Sequence, residues 1–222
     1  INAKQQDEIT NRLIASITET FTITRDLTLR GRVSTDLTSV NIESINPVEV
    51  PLIYQFGGDR SGSYLIDSQD YNILYGDLLL TYNKKITDDF NLTAVLGYSG
   101  SNETGKLLGR STNGGLSVEG WYDMNSSIGI ATSTSSRYKM IKDAVFGTLS
   151  GSYKNYLFIE GTIRRDRTST MNPNNNAFTY PSVNSSFVLS DAVELPEFFS
   201  YAKLRASWGI VGNYPDRYAA NI

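Results

Sequence analysis

The chain has 222 residues and a formal charge of −3, so no basic excess argues for a nucleic-acid partner. Cysteine and histidine are both absent, which excludes disulfides, thiolate or imidazole metal ligands, and any Cys or His nucleophile or base within these residues. Fourteen Tyr, nine Phe and 18 Gly stand among many Ser, Thr and Asn, a mixture that favours strands separated by polar loops.

The chain opens INAKQQDEIT, with neither an initiator Met nor a signal peptide, which reads as a piece of something longer. Apolar and polar residues alternate from about residue 11. Leu13, Ala15, Ile17, Phe21 and Ile23 share one face, and Arg12, Ser16, Thr18, Thr20 and Thr22 share the other. After a short turn at Thr24-Arg25-Asp26, Leu27, Leu29, Gly31 and Val33 resume the apolar face opposite Thr28, Arg30, Arg32 and Ser34. Glu19 breaks the apolar face, as a bulge or a subunit contact would.

An irregular stretch at about 38–70 precedes a second pair. Leu74, Gly76, Leu78, Leu80 and Tyr82 oppose Asp77, Thr81 and Asn83, the turn is KITDD, and Phe90, Leu92, Ala94, Leu96 and Tyr98 return. A polar loop over about 100–140 leads to a third pair around Lys154-Asn155. Its apolar face is Leu149, Gly151, Tyr153, Leu157, Ile159, Gly161 and Ile163, and Phe158, Glu160, Thr162, Arg164 and Asp166 form the other. The fourth pair carries Val183, Ser185, Phe187 and Leu189, then Leu204, Ala206, Trp208 and Ile210. Its connection, SDAVELPEFFS, has room for a helical turn.

The pattern predicts an all-β chain of about eight strands in which short turns alternate with long loops. No apolar run approaches the roughly 20 residues of a spanning helix, but barrel strands need only about 9–11 and alternate as these do. Aromatics gather beside the short turns (Phe21, Tyr82, Phe90, Tyr153, Tyr156, Phe198, Phe199, Tyr201) and more sparsely at the other strand ends (Tyr71, Tyr98, Tyr180, Trp208). That is the girdle arrangement of a transmembrane barrel. A soluble β-sandwich also alternates, with its apolar face on a dry core. The residues alone leave both open.

SYKNYLFIEGTIRRDRTSTM (152–171) and FTYPSVNSSFVLSDAVELPEFFSYAKLRASWGIVGN (178–213), in that order, resemble the barrel of SusC/RagA-family TonB-dependent transporters. NRLIASITETFTITRDLTLRGRVSTD (11–36) and TYNKKITDDFNLTAVLGYS (81–99) are similar to upstream hairpins of the same family, so the resemblance spans most of 11–213. Arg167 and Thr168 depart from it, standing where Gly or Ser is commoner. The resemblance implies an antiparallel transmembrane barrel segment. About eight strands of a barrel of about 22 would be present, with short periplasmic turns, long extracellular loops, and the plug domain and terminal strands outside these residues.

It further implies residence in the outer membrane of a Gram-negative bacterium and uptake of glycan oligomers or peptides under a SusD-like lipoprotein lid, powered by TonB through the plug region. The charged face would then look into the lumen, because a charge at mid-bilayer costs a few kcal/mol. Arg30, Arg32, Asp36, Asp77, Glu160, Arg164, Asp166, Lys203 and Arg205 are the candidate wall residues, bracing wall and plug by ion pairs or touching substrate. Trp121, Tyr122 and Tyr138 in the 100–140 loop are candidate contacts for substrate or lid, since aromatic faces stack on sugars. Nothing points to an enzyme or a cofactor. Asp88-Asp89 sits in a turn, and Asp67 with Asp70 matches no calcium-loop spacing. A small autonomous barrel (porin or adhesin) and a soluble or surface β-rich binding module are the alternatives.

Overall fold

A computed structural model describes residues 4–48, 61–196 and 198–215. Eight strands form one antiparallel sheet in strict sequence order: β1 Gln5–Thr22, β2 Leu27–Asn46, β3 Ser63–Lys85, β4 Phe90–Ser111, β5 Thr132–Tyr153, β6 Leu157–Thr168, β7 Ala177–Val188 and β8 Lys203–Gly209. The sheet is open, with β1 and β8 at its edges. One short helix, α1 (Leu189–Ala192), falls in the β7–β8 connection, where the sequence left room for a helical turn. No helix among the described residues is long and apolar enough to cross a membrane, which says nothing about strands.

Turn chemistry fixes the hairpins. Lys154 (φ 46°) and Asn155 (φ 61°) are both left-handed, the conformation whose twist matches that of two antiparallel strands. The β1–β2 and β3–β4 turns share a second design. In Ile23-Thr24-Arg25-Asp26-Leu27, the Ile23 and Thr24 amides donate to the Leu27 carbonyl at 2.9 and 3.1 Å. In Ile86-Thr87-Asp88-Asp89-Phe90, the Ile86 and Thr87 amides donate to the Phe90 carbonyl at 2.9 and 3.3 Å. The same Ile-Thr-x-Asp-apolar string therefore closes both hairpins in the same way.

The strands outrun their hydrophobic pattern. Instead of the loop expected over 38–70, β2 continues to Asn46 and β3 begins at Ser63, with residues 49–60 outside the described residues. Likewise the 100–140 loop shrinks to residues 112–131, because β4 reaches Ser111 and β5 starts at Thr132. Ser, Thr and Asn dominate those extensions on both faces, so the period-two signal vanishes there. Backbone ladders do not require it, and Thr favours extended chain in any case.

The chain divides into two compact units, Ile1–Ala15 with Thr35–Ile73 and Glu103–Lys139, and Ser16–Ser34 with Leu74–Asn102 and Met140–Ile222. The second contains all the tight turns and is called the turn unit here; the first is the loop unit. Within the turn unit the register is explicit: Gly147 opposes Ile163, Leu149 opposes Gly161, and Gly161 in turn opposes Val183, which opposes Trp208. These residues form the apolar face. Phe146, Arg164 and Tyr180 share one cross-strand row of the other face, and Ser150, Glu160, Asn184 and Ser207 share another.

Glu19 lies in an unbroken β1 and lines one groove with Ile17, Gly31, Val33 and Leu78, so the alternation does not slip there and no bulge is needed. Among the described residues only Leu116, Ala144, Val188 and Pro47 are buried apolar side chains. Val145, Leu149, Ile163 and Val183 are all half exposed or more. This sheet has an apolar face but no hydrophobic core of its own.

Candidate lumenal wall

The charged face of the turn unit is held by ion pairs and ring contacts across adjacent strands. Asp77, only 5 % exposed, accepts from Arg30 Nη2 at 3.2 Å and from Arg32 Nε at 2.7 Å. Arg32 also lies over the Tyr75 ring, 5.2 Å from its centroid. Arg30 and Arg32 share a face because they are two apart on one strand, and Asp77 faces them from the next. Three wall residues taken separately from the sequence therefore make one cluster.

A second cluster is built on a glycine. The Phe146 ring covers Gly97 so closely that a Cβ there would stand 2.2 Å from its Cζ. Arg164 lies over the same ring, 5.3 Å from its centroid, and its Nε donates to Asp166 Oδ1 at 2.6 Å. Gly97 is thus the gap that admits the ring, a familiar role for glycine inside a strand. Towards the turns, Asn184 donates to Glu160 at 3.3 Å, the Thr162 and Ser182 hydroxyls bond at 2.6 Å, and Lys203 sits 6.0 Å over the Phe158 ring. Arg205 joins Glu160 and Asn184 in lining a groove shared by Ser and Thr side chains, Asn91 and the apolar Phe158, Ile159 and Ala206.

In the loop unit, Asp36 takes a two-pronged bond from Arg12, with Nε at 2.9 Å and Nη2 at 2.5 Å. Asp36 has the same strand parity as Arg30 and Arg32, which puts its side on the charged face. Tyr138 does not lie in a loop, contrary to the expectation: it is on β5, and its ring covers Gly105 as Phe146 covers Gly97. Trp121 and Tyr122 do lie in the 112–131 loop, and Trp121 is half exposed. That loop is anchored by buried Leu116, whose amide and carbonyl both bond to Ser61 Oγ, and by Asp123, which caps the turn Met124–Ser126. At the strand ends of the same unit, Tyr64 donates to Glu43 at 2.7 Å. That bond and partial burial push its phenol up to about 12.

Asp67 and Asp70, three apart on β3, point to opposite faces and cannot share a cation. Asp88 and Asp89 each meet a lysine, Lys85 at 2.9 Å and Lys154 at 3.7 Å, consistent with a turn role. Among the described residues no three carboxylates gather as metal ligands. Sequence reading missed Tyr75 and Phe146, put Arg12 on the polar face without its ion pair, and named Tyr138 without its place over Gly105. Glycine at an interior strand position was the signal available for those rings.

No family model matches the chain, and no curated protein matches it. Solved structures do. The RagAB peptide transporter superposes with a TM-score of 0.74 at 15 % identity. The RagAB peptide importer matches with TM-scores of 0.76 at 16 % identity in its "open-open" state and 0.77 at 17 % in its "closed-closed" state. The chain has the fold of a transporter barrel wall. Each match covers 93 % of this chain and 22 or 23 % of the other, so the chain spans less than a quarter of the length of the transporter chains it matches. At these identities the likeness is one of fold, and it agrees with the SusC/RagA resemblance of the sequence strings. The matched structures are transporters, not enzymes.

Proposed function

We propose that these residues form a stretch of the barrel wall of a SusC/RagA-type outer-membrane importer in a Gram-negative bacterium. The observation that carries the proposal is a sheet with one apolar exposed face and one ion-paired polar face, in the fold of a RagA-type wall over 93 % of the chain. A soluble sandwich would cover its apolar face with a second layer, and here that face lies open. Lipid is the solvent that suits it. The charged face, including Arg30, Arg32, Asp36, Asp77, Glu160, Arg164, Asp166, Lys203 and Arg205, then lines the lumen.

In this reading the ion pairs fix the inner wall, and the groove lined by Glu160, Asn184 and Arg205 is where plug or cargo meets it. Cargo is a glycan oligomer or a peptide, peptides being what RagAB imports. A SusD-like lipoprotein closes over the loops, where Trp121 and Tyr122 stand, and TonB acts through a plug outside these residues. The test is extraction of the native protein. The reading expects it in the detergent-solubilised outer-membrane fraction at a mass several times 24.6 kDa, with peptides from a plug-like region. A detergent-soluble species of 24.6 kDa points to an autonomous small barrel, and a water-soluble one to a surface binding module.

A further inference from the structure

On the apolar face of β5, β6 and β7, charge is confined to the end away from the turns, beginning with Arg165 on β6, level with Val145, and with Asp143 on β5, level with Arg167. Starting from the turns, the outward positions of β5 are Tyr153, Gly151, Leu149, Gly147 and Val145; those of β6 are Leu157, Ile159, Gly161 and Ile163; those of β7 are Phe187, Ser185, Val183 and Pro181. None carries a charge. The next positions are Asp143 on β5, Arg165 then Arg167 on β6, and Thr179 on β7. From Tyr153 to Val145 the band runs about 26 Å along the strand, at about 3.3 Å per residue, which at a tilt of about 35–45° covers about 20 Å of the roughly 25 Å apolar band of an outer-membrane barrel.

The two arginines differ. Arg167 is spoken for: its Nε and Nη2 grip both Asp143 oxygens at 2.6–3.2 Å, so that pair is neutral overall. Arg165 points the same way between Val145 and Thr179 in register, is exposed, and has no ion-pair partner among the described residues. Its strand neighbour Arg164 is turned to the opposite face, over Phe146. The cluster therefore has a net charge of +1, with a free planar fork at the top of an apolar wall and the Thr179 hydroxyl beside it. A guanidinium fork suits a phosphate group in two-point contact. Tyr98, whose hydroxyl borders Gly100 together with Asp143, closes the apolar side.

We propose that Arg165, supported by Arg167 and Thr179, binds the phosphate of an anionic lipid in the outer leaflet, with the acyl chains lying on the Val145–Ile163–Val183 surface below. The proposal rests on the membrane reading given above. Arg165 locks the wall to its lipid annulus, and Asp143 orients Arg167 so that its remaining edge faces the same phosphate.

The experiment uses the full-length protein in phosphatidylethanolamine nanodiscs carrying either diphosphoryl lipid A or the same lipid A stripped of phosphate, with bound lipid counted by native mass spectrometry. Diphosphoryl lipid A is expected to bind in preference to the stripped form. Arg165→Gln is expected to weaken that binding about fivefold, the effect of one arginine at a charged lipid surface, whereas Lys85→Gln at the turn end leaves it unchanged. Folding of each variant is checked by the fast migration of the unheated barrel in electrophoresis. Equal binding of the stripped lipid, or no effect of Arg165→Gln in a folded variant, overturns the proposal. So does competition by millimolar inorganic phosphate, which marks a free-phosphate site instead. Failure of the membrane reading itself shows earlier, as a protein that needs no detergent.

Discussion

Odd and even positions of β6 differ in what they can touch. Ile159, Gly161 and Ile163 pair across strands only with apolar or small residues: Gly151, Leu149, Gly147, Ser185, Val183 and Pro181. Between them, Glu160, Thr162, Arg164 and Asp166 meet Asn184, Ser182, Phe146 and one another through hydrogen bonds, a ring stack and an ion pair. The odd face uses shape and leaves its solvent unspecified; the even face is tied to itself. Such a division is costly in water, where 57 % exposure of Ile163 gains nothing, and favourable when lipid replaces water on one side only.

The comparison breaks first under charge. In the full-length protein folded into lipid vesicles, Gly161→Arg, at the middle level of the apolar band, should lower unfolding stability by about 2–4 kcal/mol, the cost of an arginine near the bilayer midplane. Thr162→Arg, one residue away on the other face, should change it by less than about 1 kcal/mol. Equal effects in urea titrations would mean that the two faces see the same solvent.

A smaller effect is expected inside the even face. Asp77→Ala leaves Arg30 and Arg32 facing each other and should cost about 1–2 kcal/mol. That is below the 3–5 kcal/mol of a fully buried pair, because both guanidinium groups remain about four-tenths exposed. Asp77→Asn should recover part of the loss, and the same urea titration measures both. Gly97→Ala should cost about 1 kcal/mol by displacing the Phe146 ring and with it the Arg164 stack. Combining it with Phe146→Leu should cost less than the sum of the two single changes.

The smallest effect concerns pH at the strand ends. Because the Tyr64 phenol is raised to about 12 in the folded chain, the folded state holds that proton more tightly than the unfolded state does. Its contribution to stability is whole below about 10 and is lost as pH rises towards 12. Glu43→Gln removes the carboxylate that raises it, so one tyrosine should ionise earlier in an absorbance titration near 295 nm. An unchanged titration would show that the Glu43 bond does not govern this phenol.

Much of this was legible in the residues, for reasons that differ along the chain. The hairpins could be read because each has a tight turn flanked by strict alternation, as at Lys154-Asn155 between Tyr153 and Leu157. The faces followed, since Leu149 and Ile163 share one parity class and Arg164 and Asp166 the other. Strand lengths were not legible, because beyond Asp36 and Gly100 polar residues occupy both faces and no period remains to count. Tyr138 was misplaced for that reason. The clusters were half legible: like parity predicted that Arg30, Arg32 and Asp77 share a face, but their contact depends on the β2–β3 register, which no local pattern states. Phe146 over Gly97 lay hidden because a glycine in a strand announces space without naming what fills it.

The central claim is that one face of this sheet meets lipid and the other does not. Cysteine is absent from these residues, so single cysteines placed one at a time from Leu157 to Arg167 of the full-length protein, each carrying a nitroxide, report β6 position by position. In native-like membranes, collision with oxygen, which dissolves in lipid, should peak at 159, 161 and 163 and fall at 158, 160 and 162. Collision with a water-soluble nickel complex should stay low at the odd positions throughout. An oxygen profile without that two-residue period, or free access of the nickel complex to 159, 161 and 163, would contradict the account.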